Sequence, residues 1–111
     1  MCIIVVKKSG VALPKEEWLR NCEDANPHGI GIMWWKVGGQ DVHIKKDFPN
    51  HIALNGWMQS HLTIDDVAVI HFRWATAGLK DEGNRHPFPV TKCKELLRET
   101  ELRCQMALVH N

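Results

Sequence analysis

Four places along the chain carry residue types whose spacing suggests chemistry. Cys2 directly follows the initiator methionine. Cysteine is small enough at this position for Met1 to be removed, which would give Cys2 a free α-amine of pKa about 7.7–8.0. Such an amine takes the thiol proton, so one residue supplies both nucleophile and general base. The plainer alternative is a small apolar side chain packed on a core strand, the usual fate of a free cysteine. Arg73 stands where an apolar run ends and a glycine-bearing loop, Ala75 to Arg85, begins. A buried guanidinium needs a partner. Either a substrate carboxylate held bidentately or an internal Asp or Glu would serve. His86, in Asn84-Arg85-His86-Pro87-Phe88, is either a site residue or a pin for its loop. Asn111, after His110, has a side-chain N–H able to donate to a developing oxyanion, or is an ordinary residue at a strand end.

These residues must be held by a single domain, 1–111, because the length leaves no room for a second. A chain of this size buries roughly two-thirds of its unfolded surface, enough for a core. With 44% hydrophobic and 24% charged residues it has the composition of a folded chain. Fourteen Lys and Arg against 13 Asp and Glu leave no basic excess to bind nucleic acid. No apolar run reaches the length of a membrane span. The charges Lys7 and Lys8 follow the first apolar run, where a secretory signal would place them before it. The expected location is therefore cytoplasmic, and Cys2, Cys22, Cys93 and Cys104 are expected as free thiols. They form no C-x-x-C pair, and none of the seven histidines has the i, i+4 spacing of a metal site.

The elements follow from apolar periodicity and turn residues. Ile3 to Val6 predicts a strand buried on both faces. Pro14 opens a helix with Glu16 and Glu17 in its first turn and Trp18, Leu19 and Cys22 as its apolar face. Asn26-Pro27-His28-Gly29 is a turn. Ile30 to Val37 and Val42 to Lys45 form a hairpin through Gly38-Gly39. Asn50 caps a helix carrying Ile52, Leu54, Trp57, Met58 and Leu62, which Gly56 weakens. Val67 to Trp74 is a strand. Phe88 to Val90 begins an edge strand, because Pro89 cannot donate to a ladder. Lys92 to Arg103 is helical or an exposed hairpin, and Met106 to His110 is a last apolar strand. Strands mixed with two helices define an α+β class with mostly antiparallel strands.

Taken together, Cys2, Asn26-Pro27-His28-Gly29-Ile30-Gly31, Arg73-Trp74-Ala75-Thr76, Asn84 with His86-Pro87, and His110-Asn111 resemble the glutaminase domain of class II glutamine amidotransferases. These are N-terminal-nucleophile (Ntn) hydrolases. The resemblance is strong at these islands and weak between them. It implies an αββα sandwich of antiparallel sheets, with glutamine as the substrate and no metal or cofactor. Cys2 would be the nucleophile and Asn111 an oxyanion donor. Arg73 would hold the α-carboxylate of glutamine. Trp74 and Thr76 would lie on the loop that closes over the substrate, and His86 would support that loop.

The pattern also departs from the family. Ile3 replaces the usual glycine after the cysteine, His28 stands where similar sequences often carry Asp, and Ala77 where some carry His. The family continues beyond this asparagine with a glycine that supplies the second oxyanion donor, and with an acid that binds the substrate amine. The resemblance thus implies a fold completed by a missing C-terminal half, a second chain or self-association. Two other functions fit the same residues: an amidase acting on another carboxylate-bearing amide, and a non-catalytic or split-enzyme assembly module that keeps the fold.

Overall fold

The computed structural model describes residues 1–75 and 80–110. Five strands form one antiparallel sheet: β1 (Ile3–Lys7), β2 (Ile30–Lys36), β3 (Val42–Phe48), β4 (Asp66–Phe72) and β6 (Glu101–Cys104), in the order β1-β4-β2-β3-β6. Two helices, α1 (Glu16–Ala25) and α2 (His51–His61), cover one face. On the other face lie a 3-10 turn (Glu82–Asn84), α3 (Lys94–Arg98) and a two-stranded sheet of β5 (Phe88–Pro89) and β7 (Ala107–Leu108). All strand pairs are antiparallel, so the mixed α+β class holds.

The core lies between the helices and the large sheet. Leu19 from α1 and Leu54, Met58 and Leu62 from the α2 segment meet Ile30, Ile32, Phe48, Ala68, Ile70 and Phe72 from the strands. Alternation explains the choice of strand residues, since positions two apart share a face. The Asn50 side chain accepts the Ala53 N–H at 2.9 Å and so caps α2 as its position implies. α2 runs through Gly56, whose propensity cost is small beside the burial of Leu54 and Met58. No helix among the described residues is long and apolar enough to cross a membrane.

Two sequence expectations need correction. β1 is not buried on both faces. Ile3 and Val5 pack toward the helices, while Ile4 and Val6 are 37% and 60% exposed on the opposite face. A run of β-branched residues looks the same whether one face or two is covered. Trp18 does not join the apolar face of α1 and is 56% exposed, with the Lys15 ammonium 5.6 Å from its ring. Leu19 and Cys22 are one turn apart and point inward. Trp18 is rotated about 100° from Leu19.

Other boundaries shift. The segment Lys92 to Arg103 divides into α3 and the start of β6, and β6 adds to the sheet beside β3. The last apolar stretch contributes only the short β7, paired with β5.

Gly31 marks where the outer layer touches the sheet. A Cβ at this position would run into the His86 backbone carbonyl. Because backbone cannot swing aside as a side-chain tip can, Gly31→Ala is expected to destabilise the fold by about 1–3 kcal/mol. Urea unfolding would measure this, and an unchanged midpoint would show that the His86 segment does not rest on β2.

Candidate functional site

Cys2 sits one residue before β1, and Arg73 and Trp74 come straight after β4. The pairing of Ile3 with Phe72 brings these ends together across 72 positions of sequence. The Trp74 N–H donates to Cys2 Sγ at 3.4 Å, and the thiol lies 3.8 Å from the Trp74 carbonyl. Cys2 is partly exposed, Trp74 is 44% exposed and Arg73 only 6%. A thiol, an indole and a buried guanidinium thus occupy one end of the sheet.

The turn after α1 builds the floor of this site. Buried Asn26 donates from Nδ2 to the Met1 carbonyl at 2.7 Å and to the Phe72 carbonyl at 3.2 Å. It therefore ties the start of β1 to the end of β4. The β2–β4 pairing continues past the strands, with Arg73 N–H on the Gly29 carbonyl at 2.8 Å and His28 N–H on the Arg73 carbonyl at 3.1 Å. Gly29 has φ +138°, where a side chain is strained, and an added Cβ would also meet the Arg85 side chain. His28 Nδ1 accepts the Ala75 N–H at 2.9 Å, and its ring lies 4.8 Å from that of Trp74. In the sequence these residues read as a turn shared with the family pattern, and none of them carries an expected role. The signal was the Asn-Pro-His-Gly run itself, but its hydrogen bonds reach residues some 47 positions away.

His86 occupies the outer face of the sheet. Its ring centroid is 4.4 Å from that of His71, 4.7 Å from Phe88 and 4.7 Å from His110. Buried His71 approaches the His110 carbonyl at 3.3 Å through Nε2. A carbonyl only accepts, so the proton is on Nε2 and Nδ1 keeps its lone pair. His71 Nδ1 and both ring nitrogens of His86 have no hydrogen-bond partner among the described residues. Burial pushes the pKa of each imidazole down to about 4. The charges of Arg73 and, for His86, of Lys46 act in the same direction. Both rings are therefore neutral at pH 7.

Lys46 is a second feature missed in the sequence. It is fully buried, donates to the Gly83 and Leu97 carbonyls at 3.3 and 3.1 Å, and lies 4.2 Å from the Phe88 ring. Desolvation lowers its pKa to about 8. Its place two residues after Ile44 on β3 was the available signal, since that spacing puts both on one face. Thr76 and Asn111, two of the expected site residues, lie outside the described residues. His110, next to Asn111, is held against His71 on β4. The remaining four, Cys2, Arg73, Trp74 and His86, fall in two groups: the first three at the β1–β4 end, His86 beneath the outer layer. The charge of Arg73 acts on His86, which links the groups electrostatically.

Among the described residues no cluster of three or more His, Cys, Asp or Glu side chains could hold a metal ion. All four cysteines are free thiols. Comparison with protein-family models, with curated proteins and with solved structures gave no match to this chain.

Proposed function

We propose that this chain is the glutaminase part of an Ntn-type amidotransferase, with Cys2 as nucleophile once Met1 is removed. The observation that carries the reading is the convergence of the Cys2 thiol with Trp74 and the buried Arg73 at one end of the β1–β4 pair. A nucleophile and a group suited to a carboxylate are the two requirements for attack on an amide of an amino acid. The antiparallel sheet, with helices on one face and a smaller sheet on the other, is compatible with the αββα arrangement.

In this mechanism the α-amine of Cys2 takes the thiol proton as Sγ attacks the carboxamide carbon of glutamine. The amine then returns the proton to the departing ammonia. A glutamyl thioester remains, and water attacks it to release glutamate and restore the thiol. Arg73 binds the α-carboxylate, and Trp74 with Thr76 closes over the substrate. His86 supports that segment, and Asn111 donates to the oxyanion. The ammonia serves an acceptor on another domain or chain.

A second reading, a non-catalytic or split-enzyme assembly module, is favoured by two observations. The Met1 carbonyl is engaged by Asn26, and Ile4 and Val6 present apolar side chains on the uncovered face of β1. While Met1 is present the nitrogen of Cys2 is an amide and cannot act as a base.

Intact mass with and without a diazo-ketone analogue of glutamine separates the two readings. The enzyme reading expects a chain lacking Met1 that gains one adduct, lost on Cys2→Ala. A chain that keeps Met1 and takes no adduct, even beside its completing partner, would leave the assembly module.

A further inference from the structure

The geometry points to His28 as a positioning residue, whose neutral imidazole holds Arg73-Trp74-Ala75 against Cys2 and releases this segment on protonation. The inference deepens the proposed function, since it rests on Cys2 being the reacting thiol. It concerns a position where this chain departs from the family pattern.

The direction of the hydrogen bond fixes the tautomer of His28. The Ala75 amide can only donate, so His28 Nδ1, 2.9 Å away, must be the unprotonated nitrogen, with the proton on Nε2. Once both nitrogens carry protons, Nδ1–H faces the Ala75 N–H, and two donors oppose each other. The same residue binds the segment twice more, through its backbone N–H on the Arg73 carbonyl and its ring against Trp74. Trp74, lying between the Arg73 and Ala75 anchor points, donates its N–H to Cys2 Sγ. A proton placed on His28 is therefore felt at the thiol, through Ala75 and Trp74.

The charged groups acting on His28 are both cations: Arg73, just past β4, and Lys80, beyond the following loop. Asn26 of its own turn and Trp74 opposite carry no charge. Desolvation together with these cations holds the His28 pKa below the ordinary histidine range. The imidazole thus stays neutral at pH 7, and the latch opens only as the pH falls below about 6.5.

A substitution series with two readouts tests this. The first readout is hydrogen exchange at the Ala75 amide by NMR, corrected for intrinsic exchange, with the Ile70 amide as a control for global folding. The second is the iodoacetamide rate of Cys2 relative to exposed Cys93 in the same chain, read from peptide masses. His28→Asn places an amide oxygen where Nδ1 was. It should keep Ala75 protected and make the protection independent of pH. His28→Ala should lower that protection about tenfold, the loss of one hydrogen bond, and raise the relative Cys2 rate at pH 7.5. In the parent chain, protection should fall as His28 titrates below pH 6.5. Equal Ala75 protection in the parent and His28→Ala chains, or protection in the parent that does not follow the His28 titration, would overturn the proposal. Neither readout uses glutamine, so a failure here is separate from failure of the diazo-ketone test.

Discussion

Cys2→Ala, in the chain freed of Met1, is expected to lower kcat/KM for glutamine by roughly 10⁴–10⁶, the scale seen when a nucleophile is removed from an intact site. The side chain sits at the partly exposed start of an edge strand, so the change should cost little stability. Equal thermal unfolding of the two chains would show that chemistry alone was lost. A form that keeps Met1 should fall by about 10²–10⁴, the usual contribution of a general base. The two effects should not multiply, because thiol and amine act as one unit. Ammonia release, followed with a coupled assay, measures both. If the Cys2→Ala chain still released ammonia at the parent rate, the thiol would have no part in the reaction. If the chain with Met1 matched the processed chain, the base would have to be sought elsewhere.

The second large effect is on stability below neutral pH. His71 and His86 have folded-state pKa values of about 4 against about 6.5 in an unfolded chain. Between these values the unfolded state binds more protons than the folded one, so stability rises with pH. It is fully present above pH 6.5 and is lost as pH falls from 6.5 toward 4, on the order of a few kcal/mol for the pair, which titrates as one coupled unit because the rings lie 4.4 Å apart. Below pH 4 these two groups contribute no further change. Urea midpoints at pH 7.5 and 4.5 measure the loss. His86→Leu should flatten the dependence and stabilise the chain at pH 4.5. It exchanges a ring with two unpartnered buried nitrogens for an apolar side chain. An unchanged pH slope in that variant would mean that His86 does not titrate where it packs against His71.

These two predictions draw on different kinds of information. Cys2 and Arg73 could be picked out in the sequence because their residue types are unusual where they stand: a thiol behind the initiator methionine, a cation at the end of an apolar run. The pairing of His71 with His86 could not. His71 lies within a run that reads as any core strand, and His86 reads as a loop residue. Only the packing of the 86–88 segment over Gly31 brings the two rings within 4.4 Å. Lys46 was hidden for a related reason. A lysine near the end of a strand is normally solvated, and this one is buried only because Phe88 and the Gly83 and Leu97 carbonyls close over it.

By itself the sequence determined what depends on local physics. Apolar periodicity and turn residues specified β1 to β4 and the two longer helices, Asn50 specified a cap, composition specified a folded chain, and the mix of strands and helices specified the α+β class. These features act over a few residues, so they are present in the order of the amino acids. The tertiary structure alone decided which face of β1 is covered, why Trp18 points outward, and how Asn26 and His28 serve the Cys2 end. Each of these depends on a contact between residues far apart in the chain, such as Met1 with Asn26 or His28 with Ala75. Such a contact exists only after strand order and register have been chosen. Register follows from the summed burial of whole faces, so no single residue carries it.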